Sequence, residues 1–192
     1  MKKKLIAAMA VTMAMSLIVC TSCKKPPRSN PNVSVGEDYF PEMTFTIRDI
    51  DGKAIDESVF SLHKLTMINF WEPWCGPCLS EMPDIQKLYQ DYEDMGFYVI
   101  GVYSSTEMKS DVKKIMENVG ITYPIATYSD SFDRFQTGYV PTTIFVDEHG
   151  WVLPLMASSD QEKLFTGARS YEDWAALIET YLLYEEPTEA TV

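Results

Sequence analysis

The hydrophobic patterns along the chain predict an α/β fold, a central mixed β-sheet flanked by helices, with an extra strand or hairpin at its N-terminal side. Two largely apolar runs, residues 65–71 and 97–103, have the length and composition of strands buried on both faces. Each is followed by apolar residues at helical spacing, over 77–94 and 107–119. A further run over 142–146, a turn at 147–150 and a returning run over 151–156 read as a β-hairpin, and a closing helix is expected over 171–184. Strands alternating with helices are the order of a sheet covered by helices.

The elements follow in order. Residues 1–23 have the pattern of an export leader, with Lys2, Lys3 and Lys4 ahead of an uncharged apolar run of 15 residues. As a helix that run spans roughly 22 Å, short of the ~30 Å hydrocarbon core. A signal peptide is therefore expected, rather than a permanent transmembrane helix or a buried core helix. Its end, Val19-Cys20-Thr21-Ser22-Cys23, is similar to a bacterial lipoprotein processing site. Cys23, after two small residues, is the expected lipidation site. Cys20 is the alternative, although it follows the bulky Val19 and stands where the usual site carries Leu upstream of Cys23. Such an anchor attaches without spanning the bilayer. Residues 24–39, with three prolines and few apolar side chains, read as a flexible tether.

A domain is expected over 40–184. Residues 40–49 alternate Met43, Phe45 and Ile47 against Thr44, Thr46 and Arg48, the pattern of a half-buried strand, and Asp51-Gly52 is a hairpin turn signal. A short helical turn is expected around 57–60. Leu79, Met82, Ile85, Leu88, Tyr89 and Tyr92 recur at helical spacing and build core. Met108, Val112, Ile115, Met116 and Val119 do the same, and Gly120 ends that helix. A short strand over 124–128 and a short helix over 131–136 follow. Residues 157–170 form a loop with no assigned role, and 185–192 a frayed acidic tail.

Apolar residues make up 46% of the chain, enough for a core, and the formal charge is -12. Losing the three leader lysines makes the surface more acidic still. Such a surface repels phosphates, which argues against nucleic acid as a partner.

The chemistry gathers in Asn69-Phe70-Trp71-Glu72-Pro73-Trp74-Cys75-Gly76-Pro77-Cys78. A strand runs into a Pro-broken turn, and two cysteines three apart open a helix. Cys75 falls at or before the first helical turn, where backbone N–H groups and the helix dipole favour a thiolate. Cys78, one turn on, can close a disulfide onto it. Gly76 lets a partner chain approach, and Pro77 is tolerated in a first turn. The bland alternative is a structural or zinc-binding pair; Cys20 and Cys23 would formally complete four thiolates. Those two end an export leader, so no metal site is expected.

Trp74-Cys75-Gly76-Pro77-Cys78 resembles the active site of the thioredoxin superfamily. With Glu81-Met82-Pro83 it makes W-C-x-x-C-x-x-E-x-P, similar to the secreted, membrane-anchored, AhpC/TSA-related TlpA/ResA-like branch, over roughly residues 40–184. The resemblance implies a thioredoxin-like fold and thiol–disulfide exchange needing no cofactor beyond the Cys75–Cys78 pair. Cys75 would be the nucleophile and Cys78 the resolving thiol. Glu81, three residues beyond Cys78, is the candidate proton acceptor; its bland reading is a solvated glutamate suiting the positive helix end. Asn69 stands where many thioredoxins carry a buried aspartate, and its neutral amide cannot take that proton. Val140-Pro141 is similar to the family's cis-proline segment, which packs against the cysteines and offers backbone hydrogen bonds to a bound peptide; an ordinary trans proline at a strand start is the alternative. Trp74 is expected on the docking surface, with Gly76, Pro77, Val140 and Pro141, and Trp71 in the core. Glu72 is expected to be exposed. His63 and His149 are expected in loops without a role.

The expected partners are protein disulfide substrates, a membrane thiol carrier as electron donor, and the membrane itself through the lipid anchor; a monomer is expected. Family analogy suggests apocytochrome c haem-site cysteines or methionine sulfoxide reductases as substrates. Net oxidant or isomerase behaviour is a variant of this reading. The alternative from another class is a copper-binding assembly protein on the same fold, for which His149 is in the right region but the two-residue cysteine spacing is too narrow. The P-x-x-x-T-x-x-C pattern of a peroxiredoxin is missing.

Overall fold

The computed structural model describes residues 43–153 and 164–183. The leader with Cys20 and Cys23, the tether and the tail lie outside them, as do most of the returning run and of the unassigned loop. Seven strands and three α-helices run in the order β1 (Thr46–Arg48), β2 (Ala54–Asp56), β3 (Leu65–Phe70), α1 (Gly76–Tyr92), β4 (Phe97–Tyr103), α2 (Lys109–Val119), β5 (Ile125–Thr127), β6 (Thr142–Asp147), β7 (Phe165–Thr166) and α3 (Tyr171–Leu182) among the described residues. Short 3-10 turns at Glu57–Leu62 and Asp130–Phe135 replace the two short helices expected there.

β3 is the centre of a five-stranded mixed sheet in the order β5-β4-β3-β6-β7, parallel to β4 and antiparallel to β6. All six residues of β3 are buried, which is why its apolar residues fall on both faces and not on one. Side chains alternate between two cores. Leu65, Met67 and Trp71, with Phe97, Val99 and Tyr103 of β4 and Phe145 of β6, pack under α1 and α3. Ile68 and Phe70, with Ile100, Val102, Ile144 and Val146, face the other way, against Met43, Phe45, Ile47 and Phe60. The N-terminal hairpin β1–β2 therefore covers the sheet face that the long helices leave bare. Asn69 and Thr143 are register partners on the α1 side, so two polar residues sit in the helix-covered core.

The alternation over 43–48 is confirmed: Met43, Phe45 and Ile47 are buried and the residues between them exposed. Gly120 ends α2 at φ 77, where a residue bearing a Cβ would be strained. The hairpin expected over 142–156 forms as far as the described residues reach, to Leu153. The turn forms, with the Gly150 N–H donating to the Asp147 carbonyl at 3.0 Å. Beyond it Val152 bridges Val146, flanked by the Asp147 N–H donating to the Trp151 carbonyl at 3.0 Å and the Leu153 N–H donating to the Phe145 carbonyl at 2.8 Å. The first two residues of β6, Thr142 and Thr143, pair antiparallel with β7, a strand drawn from the stretch read as a loop. No helix among the described residues is long and apolar enough to cross a membrane.

Candidate active site

Four chain segments meet where β3 ends: the start of α1, the residues after β4, the turn before β6 and the segment leading into α3. Phe70, the last residue of β3, pairs with Val102 on one side and Thr142 on the other, so the cysteines lie between the C-terminal end of β4 and the N-terminal end of β6.

Cys75 is the N-cap of α1, extended in backbone, and its sulfur accepts the Cys78 N–H at 3.2 Å. An N–H aimed at that sulfur stabilises negative charge on it. The Cys75 carbonyl accepts from Leu79 at 3.1 Å, fixing the first turn. Cys75 and Cys78 are joined as a disulfide, with Cα atoms 5.3 Å apart. Cys78 is fully buried and Cys75 is 5% exposed. Around Cys75 the surface is open: Gly76 and Pro77 are exposed, and the Trp74 indole is 64% exposed. The Val140–Pro141 bond is cis, and the Val140 carbonyl oxygen lies 3.6 Å from the Cys75 sulfur.

Glu81 lies one turn beyond Cys78 on α1, and only 2% of it is exposed. Its carboxylate accepts from Asn69 Nδ2 at 3.0 Å, the Arg169 backbone N–H at 3.1 Å and Trp174 Nε1 at 3.4 Å. Asn69 Nδ2 also donates to Thr143 Oγ1 at 3.0 Å. Burial pushes the Glu81 carboxyl above the usual carboxylate range, against the pull of these donors and of the Arg169 charge. The Arg169 guanidinium lies 5.2 Å from the centres of both the Phe165 and Trp174 rings.

The sequence profile of the AhpC/TSA family matches residues 37–153. The chain belongs to the AhpC/TSA family. Its relatives include the thiol-disulfide oxidoreductase ResA of Geobacillus thermodenitrificans, 30% identical over 138 residues, which are 67% of this chain and 69% of that protein. ResA of Bacillus subtilis is 27% identical over 122 residues, covering 62% and 67%. Among solved structures, a thiol:disulfide interchange protein of the thioredoxin family from Chlorobium tepidum superposes with a TM-score of 0.62 at 27% identity, covering 75% of this chain and 97% of that one. This AhpC/TSA-family protein is a ResA-like thiol–disulfide oxidoreductase with a thioredoxin-like fold, and Cys75–Cys78 is its redox-active disulfide.

Within that family frame, the expectation for Glu72 changes. Glu72 is buried, not exposed: it accepts from Ser104 N at 2.8 Å, Ser105 N at 3.2 Å and the Ser104 hydroxyl. His149 follows Asp147, which pairs with Leu65 at the opposite end of β3 from the cysteines. Five strand steps at about 3.3 Å each place it some ~16 Å from the dithiol end, so it cannot complete a copper site with Cys75 and Cys78. His63 stacks on Tyr98 with ring centres 4.1 Å apart, also towards that far end. Among the described residues no group of three or more His, Cys, Asp and Glu is placed to hold a metal. Arg169, from the loop left without a role, is a site residue that sequence reasoning missed. The only sequence signal near it is Ser170, whose side chain caps α3 by accepting from Asp173 N.

Proposed function

We propose that the protein is an extracytoplasmic protein-disulfide reductase held at the membrane by a lipid on Cys23. The observation that carries the reductase chemistry is the unequal setting of the two sulfurs. Cys75 sits at a helix start beside exposed Trp74, Gly76 and Pro77, whereas Cys78 is fully buried one turn from a buried carboxylate. In the reduced enzyme the Cys75 thiolate attacks one sulfur of a partner disulfide. A mixed disulfide forms, and the second partner sulfur leaves with a proton as a thiol. The Cys78 thiol gives its proton to Glu81 and attacks the Cys75 sulfur. The first partner sulfur then departs, taking up a proton, and the Cys75–Cys78 disulfide closes. Two electrons have moved to the partner, and a membrane dithiol carrier restores them by the reverse exchange. Trp74, Gly76, Pro77, Val140 and Pro141 form the face on which the partner segment lies.

In this reading Glu81, and not residue 69, takes the proton, supported by Asn69 being neutral and donating to Glu81. Cys78→Ala, which keeps the attacking sulfur and removes the resolving one, is expected to accumulate a mixed disulfide between Cys75 and exported proteins, identified by mass. A variant that traps nothing in cells would overturn substrate-directed exchange. A midpoint potential above roughly -200 mV would replace the reductant assignment by an oxidant one.

A further inference from the structure

Glu72 is a buried carboxylate that the exchange chemistry leaves unused. It lies between two residues that restrict it: Trp71 extends the ladder by donating its N–H to the Val102 carbonyl at 2.9 Å, and Pro73 disfavours a helical backbone at Glu72. Its main chain holds the cysteine loop, since the Glu72 carbonyl accepts the Cys75 N–H at 3.0 Å. Its side chain holds the segment after β4. One carboxylate oxygen accepts from the Ser104 N–H and hydroxyl, and the other from the Ser105 N–H. The Ser105 hydroxyl oxygen in turn accepts from Trp74 Nε1 at 3.2 Å. These contacts close a circuit from Cys75 through Glu72 and Ser105 to Trp74, and no ion pair with a cation among the described residues joins it.

The circuit forms one wall of a groove of about 220 Å³. Trp74, Glu72 and Ser104 line that wall, and Tyr139 and Val140 stand among the other lining residues. Because the Val140 carbonyl is 3.6 Å from the Cys75 sulfur, the groove opens beside the attacking atom. A carboxylate left in water would cost nothing, whereas this one is desolvated and compensated by three donors. Shape alone would be met by an apolar side chain.

We propose that Glu72 is a positioning residue for partner docking. By fixing Ser104 and Ser105 against the cysteine loop, it holds the Trp74 indole as the wall along which a partner's cysteine-bearing segment enters. The proposal rests on Trp74 facing the partner. A cap that only stabilised the loop would change the unfolding midpoint and leave recognition of a bound partner alone.

The test uses insulin as the oxidised probe and dithiothreitol as the electron source. Glu72→Gln keeps the volume but turns N–H groups toward donors, Glu72→Ala removes the clamp, and Ser105→Ala removes only the acceptor of the indole. Each is expected to raise KM for insulin by about fivefold or more with kcat changed less than about twofold, and Gln is expected to fall between Ala and the parent. With 5-fluorotryptophan incorporated, the Trp74 resonance, assigned by Trp74→Phe, is expected to shift or broaden in all three. Trp74→Ala is the reference. If it raises KM while folded Glu72→Gln and Ser105→Ala keep the parent KM, the role of Glu72 is overturned. If Trp74→Ala itself leaves KM unchanged, the docking face falls and the proposal with it.

Discussion

Glu81 is surrounded by donors: the Asn69 amide, the Arg169 backbone N–H and the Trp174 indole N–H all point at its carboxylate. Burial raises its pKa in spite of them. A carboxyl whose folded pKa is raised contributes stability below its unfolded value of about 4.3 and loses it as pH rises through the folded value. The Arg169 charge from the segment before α3 opposes that loss, and the buried Tyr123 hydroxyl is the other titratable group that Glu81 influences. Glu81→Gln, which cannot ionise, is therefore expected to gain on the parent in unfolding free energy as pH goes from about 4 to 8, read from urea curves. A gap that moves the other way would remove the buried-acid account. The same variant should slow release of partner thiol from a preformed mixed disulfide by about 10²-fold or more, the scale of a lost proton acceptor. Glu81 and Asn69 were legible through the thioredoxin resemblance, which gives positions at those spacings from the cysteines a meaning. Arg169, 88 residues from its partner, has no spacing to betray it, and it acts through its main chain. Glu72 was misread because Pro73 hides the direction of the side chain until the serines after β4 are placed.

β4 shows how tightly the strands are packed behind the site. A Cβ on Gly101 would lie 2.4 Å from Ile125 Cδ1 and 3.2 Å from Trp71 Nε1. Ile125 is fully buried, so its side chain must turn inside a filled core. Gly101→Ala is expected to cost about 1–3 kcal/mol, measured by denaturant unfolding with an unchanged slope. A loss below about 0.5 kcal/mol would mean that Ile125 has room to move. The long elements were readable because six or seven residues agree on one pattern, a helical period in α1 and a continuous apolar run in β4. β7 was not, since two residues cannot display a period. The returning run after Gly150 has strand-like residues and a good turn, and its described residues pair with the C-terminal half of β6 while β7 takes the same edge near the active site.

At the scale of the whole molecule, the sheet separates chemistry from closure. The face under α1 and α3 holds Asn69, Thr143 and the dithiol, and the opposite face is sealed by the N-terminal hairpin and the two 3-10 turns. The proposed anchor precedes that hairpin in sequence. Cys23→Ser is expected to move the protein from the membrane pellet to the soluble extracytoplasmic fraction, and Cys20→Ser to leave it in the pellet. Retention of the Cys23 variant in the pellet would rule out the anchor at that residue. Along one margin of the sheet, the outer side of β5 is taken by the Asp49–Ala126 bridge and by the Ile50 N–H, which donates to the Ile125 carbonyl at 2.8 Å. Along the other, the outermost strand among the described residues is two residues long. Among the described residues neither margin presents a long strand edge, the kind of run on which a neighbouring polypeptide could template itself by strand addition.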